Sequence, residues 1–182
     1  MIKLRIAFVD TNCLLHYQWL AQIEWTKLLT AEAVEIVLAP IVVRELDKQK
    51  YSPSRIRKRA HSVLSNLEKL LQEEGPAELR PGVKLRYEVR EPSLDFAAYQ
   101  LSRESQDDYL LASIIQFIEE QPETEVVLVT SDLGLKLKAR SKGIKVLSLP
   151  ESSLCANDSE TLTPPGITVE GGEVNRPWRG RR

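Results

Sequence analysis

Acidic side chains stand at positions in this 182-residue chain where carboxylates can do chemistry. Asp10 directly follows one apolar run, and Asp132 follows another by two residues. Asp107 and Asp108 open an apolar helical pattern, and Glu45 lies in the helical segment IVVRELDKQK. Ligands of an open parallel sheet collect outside the carboxyl ends of its strands. We therefore expect Asp10 and Asp132 to face the same crevice.

Each of these carboxylates, taken alone, also has a role that needs no ligand. Asp107, Asp108 and Asp132 are placed to cap or begin helices, which stabilises a helix by about 0.5–2 kcal/mol. Together, the acids would repel one another strongly unless a cation neutralised them. Sites made only of oxygen ligands suit hard ions such as Mg²⁺ or Mn²⁺, and the two histidines show no zinc-type spacing. The pattern predicts a carboxylate site for Mg²⁺ or Mn²⁺.

Such a site is typical of enzymes that cleave phosphate esters. One or two divalent ions lower the pKa of a bound water and stabilise the attacking and leaving oxygens. The GxxxxGK[ST] and GxGxxG phosphate-binding motifs are absent from the sequence. Candidates to orient the acids or to contact a phosphate are their polar neighbours Thr11, Asn12, Thr130 and Ser131. Asn12 and Ser131 fit equally well as ordinary turn and cap residues.

The apolar pattern supplies the elements that position these acids. Unbroken apolar runs predict strands buried on both faces over residues 4–9, 35–39, 126–130 and 144–147, with 84–90 as a candidate extra strand. Three- and four-residue spacing predicts helices over residues 53–74, 108–119 and 133–142, the last closed by Gly143. Alternation of strands and helices indicates an α/β fold with three layers, α/β/α, and a mostly parallel central sheet.

The composition indicates one globular domain followed by a different segment. Hydrophobic residues make up 42% and charged residues 28%, with 25 basic against 26 acidic side chains. This balance excludes a disordered chain and a uniformly basic nucleic-acid coat. Residues 1–150 are predicted to form the domain. Residues 151–182, which hold four of the eight glycines, are predicted to be a flexible tail. The tail ends in RPWRGRR, either a solvated terminus or a contact for RNA or an acidic partner.

The sequence also predicts a protein of the reducing cytoplasm with no membrane contact. No apolar run approaches the roughly 18 residues of a membrane span. Asp10 comes too early for a signal peptide with its apolar stretch and cleavage site. Cys13 and Cys155 are too few for a disulfide framework.

Basic side chains gather beside Glu45. Residues 44–59 hold seven basic against two acidic side chains, a local charge of +5. We predict that they contact an RNA backbone without sequence preference, although they also fit the solvated face of a helix. The candidates are Arg44, Lys48, Lys50, Arg55, Arg57, Lys58 and Arg59, joined by Lys136 after the last acid. Tyr51 and Tyr109 are candidates for stacking on bases.

Four motifs in order resemble the PIN domain family of metal-dependent ribonucleases, over about residues 4–150. They are VDTNCLL at 9–15, PIVVRELD at 40–47, DDYLLA at 107–112 and VTSDLGLKLKA at 129–139. The last motif is more similar to the larger, PINc-type relatives in RNA-processing proteins than to the compact toxin ribonucleases. The resemblance implies that the catalytic, metal-binding acids are Asp10, Glu45, Asp108 and Asp132, with Asp107 as a further candidate ligand.

The resemblance implies a Rossmann-like fold and Mg²⁺- or Mn²⁺-dependent endonucleolytic cleavage of single-stranded RNA. A metal-activated water would attack the phosphodiester and leave a 5′-phosphate and a 3′-hydroxyl. Two alternatives stay open: a catalytically weak PIN-fold module that binds RNA or protein, and a toxin-type ribonuclease held by a protein inhibitor or antitoxin. A homodimer is also left open.

Overall fold

Six strands form one sheet in which the first and fifth strands are neighbours. The computed structural model describes residues 3–72 and 75–155. The strands are β1 (Leu4–Val9), β2 (Ala33–Leu38), β3 (Ala77–Arg80), β4 (Val83–Tyr87), β5 (Glu125–Val129) and β6 (Lys145–Leu147). Their order is β3-β4-β2-β1-β5-β6, and every pairing is parallel except β3 with β4.

Helices flank the sheet and complete the three layers. They are α1 (Thr11–His16), α2 (Trp25–Leu28), α3 (Pro40–Gln49), α4 (Ser54–Leu70), α5 (Gln106–Glu120) and α6 (Leu133–Ser141), with short 3₁₀ turns at Leu20–Gln22 and Glu151–Ser153. The predicted α/β/α fold with a mostly parallel sheet is confirmed. In the part of the chain that the structure describes, no helix is long and apolar enough to cross a membrane.

The apolar runs form the core because both faces of the central strands are covered. Ile6, Phe8 and Val9 of β1 are buried, as are Val126–Val129 of β5. Each fully buried aliphatic or aromatic side chain contributes about 1.5–3 kcal/mol of transfer free energy. Burial also raises the pKa of Cys13 to about 12, so this cysteine is a thiol at neutral pH.

The apolar pattern of the sequence did not predict the shortest helices and the edge strand. The six-residue α1, the four-residue α2 and the four-residue edge strand β3 were not predicted, because elements of this length show at most two periods of a helix or strand pattern. The extra strand candidate at 84–90 is β4. The predicted helix over 53–74 ends earlier, at Leu70, and the helix over 108–119 begins at Gln106. Gly143, with φ of 75°, ends α6 as expected.

Residues 151–155, assigned to the tail from the sequence, contact the domain. The Ser153 carbonyl accepts a hydrogen bond from the Gln18 N–H at 2.8 Å, and the Cys155 N–H donates to the His16 carbonyl at 3.1 Å. Leu154 pairs with Tyr17 in an isolated β-bridge. Residues 151–155 therefore pack on the segment after α1, through backbone pairing that composition does not reveal. The rest of the predicted tail, residues 156–182, lies outside the described residues.

Candidate active site

The sheet extends to both sides of β1, and this makes a crevice at the carboxyl end of the strand. From β1 the sheet continues to β2 on one side and to β5 on the other. Val9 pairs with Val129, and the Asp10 N–H donates to the Val129 carbonyl at 3.1 Å. The segments that follow β1 and β5 therefore emerge side by side. This is the switch point where open α/β sheets bind ligands.

A pocket of about 140 Å³ lies at this switch point. Four carboxylates line it, and they come from four different segments: Asp10 after β1, Glu45 on α3, Asp107 on α5 and Asp132 after β5. The other lining residues are Thr11, Asn12, Leu15, Lys48, Gln49 and Gln106. Tertiary structure thus brings together acids that are up to 122 positions apart in the sequence.

Thr130 joins the acids that follow the two central strands. Its side chain is fully buried; its hydroxyl donates to Asp10 Oδ2 at 2.9 Å and accepts from the Asp132 N–H at 3.1 Å. Burial raises the pKa of Asp10, the Thr130 hydrogen bond opposes that rise, and the charges of Asp107 and Asp132 add to it. Thr130 therefore fixes the position of the Asp10 carboxylate, whose ionised form is made unfavourable by burial and by the neighbouring acids.

Glu45 is held by hydrogen bonds on both of its oxygens. The Thr11 hydroxyl donates to Oε2. The Gln106 amide, oriented with its nitrogen toward Glu45, donates to Oε1 at 2.5 Å, and its oxygen accepts from Lys48 Nζ at 3.0 Å. Burial raises the pKa of Glu45, and the charges of Asp10 and Asp107 raise it further. The sequence-predicted neighbour Thr11 thus contacts one of the predicted acids directly.

The structure separates the adjacent pair Asp107 and Asp108. Asp107 lines the pocket, and burial together with the charges of Asp132 and Asp108 raises its pKa. Asp108 does not line the pocket. Its carboxylate, only 6% exposed, accepts from Lys138 Nζ at 2.8 Å and from the Ser102 N–H at 2.9 Å. Burial alone would raise the pKa of Asp108, but these two hydrogen bonds lower it below its ordinary range.

The acid after β5 has a second, structural role. Asp132 caps α6, its Oδ1 accepting from the Leu135 N–H at 2.8 Å, as the sequence analysis allowed. A Cβ at Gly134 would stand 3.2 Å from that same oxygen, so the glycine leaves room for the carboxylate. The Ser131 hydroxyl is 2.6 Å from the Tyr17 hydroxyl, which ties this loop to the segment after α1.

The donor set of the pocket fits a hard divalent cation by its chemistry. All four carboxylates offer oxygen, and three of them (Asp10, Glu45 and Asp107) have raised pKa values because burial and like charges disfavour ionisation. A bound cation would make the ionised carboxylates favourable again, because its charge offsets their mutual repulsion. In the side-chain conformations of this structure, no three acids among the described residues lie close enough together to bind one metal ion. Glu45 instead bonds Thr11 and Gln106.

Some of the predicted RNA-binding cations line the pocket or are exposed, and others form ion pairs within the domain. Lys48 lines the pocket, and Arg55, Arg57 and Lys58 are exposed on α4. Arg44 pairs with Glu91 at 2.7 Å, and Lys50 pairs with Asp47 at 2.6 Å. Lys136, on α6, is half-buried. The guanidinium of Arg44 also lies 5.2 Å from the ring centre of Tyr109, which packs on Phe96, so this predicted stacking residue is engaged within the domain.

Arg59 has a structural position, unlike the neighbouring cations. Its Nε donates to the Leu14 carbonyl at 3.1 Å, and its Nη2 donates to the Tyr17 carbonyl. These carbonyls lie at the end of α1, where a helix leaves acceptors unpaired. We expect Arg59→Ala to lower the free energy of unfolding by about 1–3 kcal/mol, since charged donors of this kind are lost. Urea unfolding measures this, and the exposed neighbour Lys58→Ala serves as the control; equal effects of the two substitutions would contradict the assignment.

Several residues of the site carried no signal that the sequence analysis used. Gln106 immediately precedes the acid pair, and its position at the start of α5 was the only clue to its contact with Glu45. Tyr17 reaches Ser131 across 114 positions of sequence, a contact that depends on how α1 packs and that no local pattern shows. Leu15 and Gln49 line the pocket for the same reason.

The chain matches a known family in sequence and resembles solved structures in fold. A family model described as PIN domain matches residues 7–150. Similar solved structures include the PIN domain endonuclease Utp24 (18% identity, 82% of this chain and 88% of that chain, TM-score 0.43) and a domain of a functionally unknown protein from Methanocaldococcus jannaschii (18%, 87% and 98%, 0.45). VapBC-1 from nontypeable Haemophilus influenzae is another (11%, 79% and 97%, 0.45). No curated protein sequence matches the chain.

Proposed function

The chain belongs to the PIN domain family, and on that premise we propose that it is an endoribonuclease that cleaves single-stranded RNA with Mg²⁺ or Mn²⁺. The observation that carries the proposal is the pocket lined by Asp10, Glu45, Asp107 and Asp132. Carboxylates that raise one another's pKa destabilise a protein unless a cation binds them. A module that only bound RNA would gain nothing from such a cluster, and the cluster would repel phosphate.

The four carboxylates of the pocket would hold the ion. A divalent ion bound there supplies a Lewis acid that lowers the pKa of a water and neutralises charge on the scissile phosphate. Thr130 orients Asp10 and Thr11 orients Glu45 through the hydrogen bonds described above. Asn12, which is exposed and lines the pocket, is placed to contact the substrate. We propose Asp107 rather than Asp108 as the acid of α5, because only Asp107 lines the pocket.

The cations beside the pocket would hold the RNA backbone. Lys48 lines the pocket itself, and Arg57 and Lys58 stand exposed at the start of α4, which directly follows the segment after α3. Contacts of this kind position a polynucleotide without reading its sequence. Arg59 is left out of this set, since its guanidinium bonds carbonyls of the domain.

Cleavage of an end-labelled single-stranded RNA tests the proposal directly. We expect internal cleavage with Mg²⁺ or Mn²⁺, none with EDTA, and products that carry a 5′-phosphate and a 3′-hydroxyl. A duplex of the same sequence should be cut more slowly. RNA binding without cleavage in either metal would overturn the proposal and favour the non-catalytic module.

The exposed cations of α4 give a prediction about salt dependence. The double substitution of Arg57 and Lys58 by Ala should weaken single-stranded RNA binding and lower the slope of log affinity against log salt by about 1.4, because each phosphate contact contributes about 0.7. Fluorescence anisotropy at several salt concentrations measures the slope. Lys69→Ala, at the other end of the same helix, is the matched control, and an equal change there would show that the effect is not local.

A further inference from the structure

Tyr51 lies in the turn between α3 and α4 with its ring in solvent. Its side chain is 90% exposed, the largest value among the exposed apolar residues that the structure describes. The turn itself is ordered by backbone hydrogen bonds: the Tyr51 N–H donates to the Lys48 carbonyl at 3.2 Å, and the Ser52 N–H donates to the Gln49 carbonyl at 3.1 Å. A ring held in water contributes no burial to folding. Its place in the turn is therefore not explained by the core.

A groove beside Tyr51 adjoins the acidic pocket. The groove has a volume of about 420 Å³ and is lined by Asp47, Lys48, Lys50 and Tyr51. Lys48 also lines the acidic pocket, so the two depressions share a wall. Lys50 is paired with Asp47, which leaves Lys48 as the cation between the groove and the acids. The surface thus runs from a carboxylate cluster, past a lysine, to a free aromatic face.

Further cations follow Tyr51 along the chain, in α4. The first turn of α4 contains no acid. Arg57 and Lys58, the fourth and fifth residues of the helix, are exposed and form no ion pair with any residue that the structure describes. Positive charge near the start of a helix opposes the helix dipole and lowers the stability of the helix. These cations are thus unfavourable for α4 itself, which is expected when they serve a polyanion.

We propose that Tyr51 is a base-stacking subsite for the single-stranded RNA that the acidic pocket cleaves. The inference rests on the proposed function, because it concerns the same polynucleotide. Lys48 lines the groove together with the ring, and the α4 cations follow the ring along the chain. The four helical steps from Glu45 to Gln49 span about 6 Å along α3. The turn to Tyr51 adds a few ångströms, so the ring lies on the order of two or three stacked nucleotides, about 3.4 Å each, from Glu45.

This subsite selects single strands. Aromatic side chains stack on bases whose faces are free, and every base has such a face, so stacking adds affinity without sequence preference. Bases inside a duplex already stack on their neighbours and present no free face to a protein side chain. Tyr51 therefore distinguishes single-stranded from double-stranded RNA, whereas the cations bind both.

Binding measurements separate stacking from charge. In the Asp10→Asn background, which prevents cleavage, Tyr51→Ala should weaken binding of a labelled single-stranded RNA by about 5- to 150-fold. Tyr51→Phe, which keeps the ring, should bind within about twofold of the parent. The salt slope should be unchanged in Tyr51→Ala, because the ring carries no charge. Duplex binding should be unchanged as well. Equal binding by the Ala and Phe variants, or equal losses for duplex and single strand, would overturn the inference.

Abasic substitution in the RNA locates the base. Removing one base at a time should weaken binding to the parent protein most at one position, two or three nucleotides from the cleaved bond, and that position should have no effect in Tyr51→Ala. If the parent protein and Tyr51→Ala lost affinity at the same abasic positions and to the same extent, the base-stacking subsite would be contradicted. The outcomes distinguish the two proposals: cleavage by wild type with no Tyr51 dependence refutes only the subsite, and Tyr51-dependent binding without cleavage refutes only the nuclease.

Discussion

Asp10→Asn is expected to abolish metal-dependent RNA cleavage and, in the same protein, to increase stability in the absence of metal. Asn keeps an oxygen that accepts the Thr130 hydrogen bond and changes the volume little. The substitution removes the negative charge with which Asp10 would bind the cation. Since partners of metal ligands alone are worth 10- to 100-fold, loss of a ligand should lower kcat/KM by at least about 100-fold.

The gain in stability follows from the raised pKa of Asp10. Burial makes the ionised carboxylate unfavourable in the folded protein, so the folded state holds the proton more tightly than the unfolded chain does. The contribution of Asp10 to stability is therefore fully present below the unfolded-state pKa and is lost as the pH rises through the folded-state pKa. Asn has no proton to lose. The variant should be more stable than wild type at pH 7 by about 0.5–2 kcal/mol, and the difference should shrink toward about pH 4.

Urea unfolding of the metal-free proteins at pH 7 and near pH 4, together with a cleavage assay, checks both parts. Asp95→Asn is the control, because this exposed acid lies outside the pocket and its acceptor for the Ala97 N–H is kept. It should change neither cleavage nor the pH dependence. An Asp10→Asn protein that still cleaves RNA would refute the assignment of the site. An Asp10→Asn protein that is inactive and less stable than wild type at pH 7 would refute only the explanation that the ionised Asp10 carboxylate destabilises the metal-free protein.

The pair Asp107→Asn and Asp108→Asn is expected to separate activity from stability. Asp107→Asn removes a pocket carboxylate and should lower kcat/KM by at least about 100-fold with little loss of stability. Asp108→Asn removes the charge that pairs with Lys138 and replaces one of the two acceptor oxygens by an NH2 group, so either Lys138 Nζ or the Ser102 N–H loses its acceptor. It should lower the free energy of unfolding by about 1.5–3 kcal/mol, the usual value of hydrogen bonds to a charged group.

Measurement at 20 °C, where far-UV circular dichroism first verifies that both variants are folded, keeps the two effects apart. Asp108→Asn should retain cleavage within a few-fold of wild type there and show a melting temperature several degrees lower. Lys138→Met should reproduce the stability loss, since it removes the same ion pair from the other side. The reverse pattern, with cleavage lost in Asp108→Asn and kept in Asp107→Asn, would show that the acid of α5 has been assigned wrongly.

The sequence by itself determined the architecture and the types of the residues at its centre. Unbroken apolar runs specify strands that are covered on both faces, and such strands imply helices on both sides of a parallel sheet. Asp10 and Asp132 could be placed at strand ends because a strand ends where its apolar run ends. The order of the four motifs then indicated the family without any contact being known.

Only the tertiary structure decided which carboxylates meet. Asp107 and Asp108 are neighbours in sequence, but successive residues of a helix point about 100° apart, so one faces the pocket and the other faces Lys138. Arg59 and Lys58 differ in the same way: one guanidinium reaches the carbonyls at the end of α1, and the adjacent ammonium is exposed. A one-dimensional pattern gives the type and spacing of residues. The direction of each side chain depends on packing between elements that are distant in sequence.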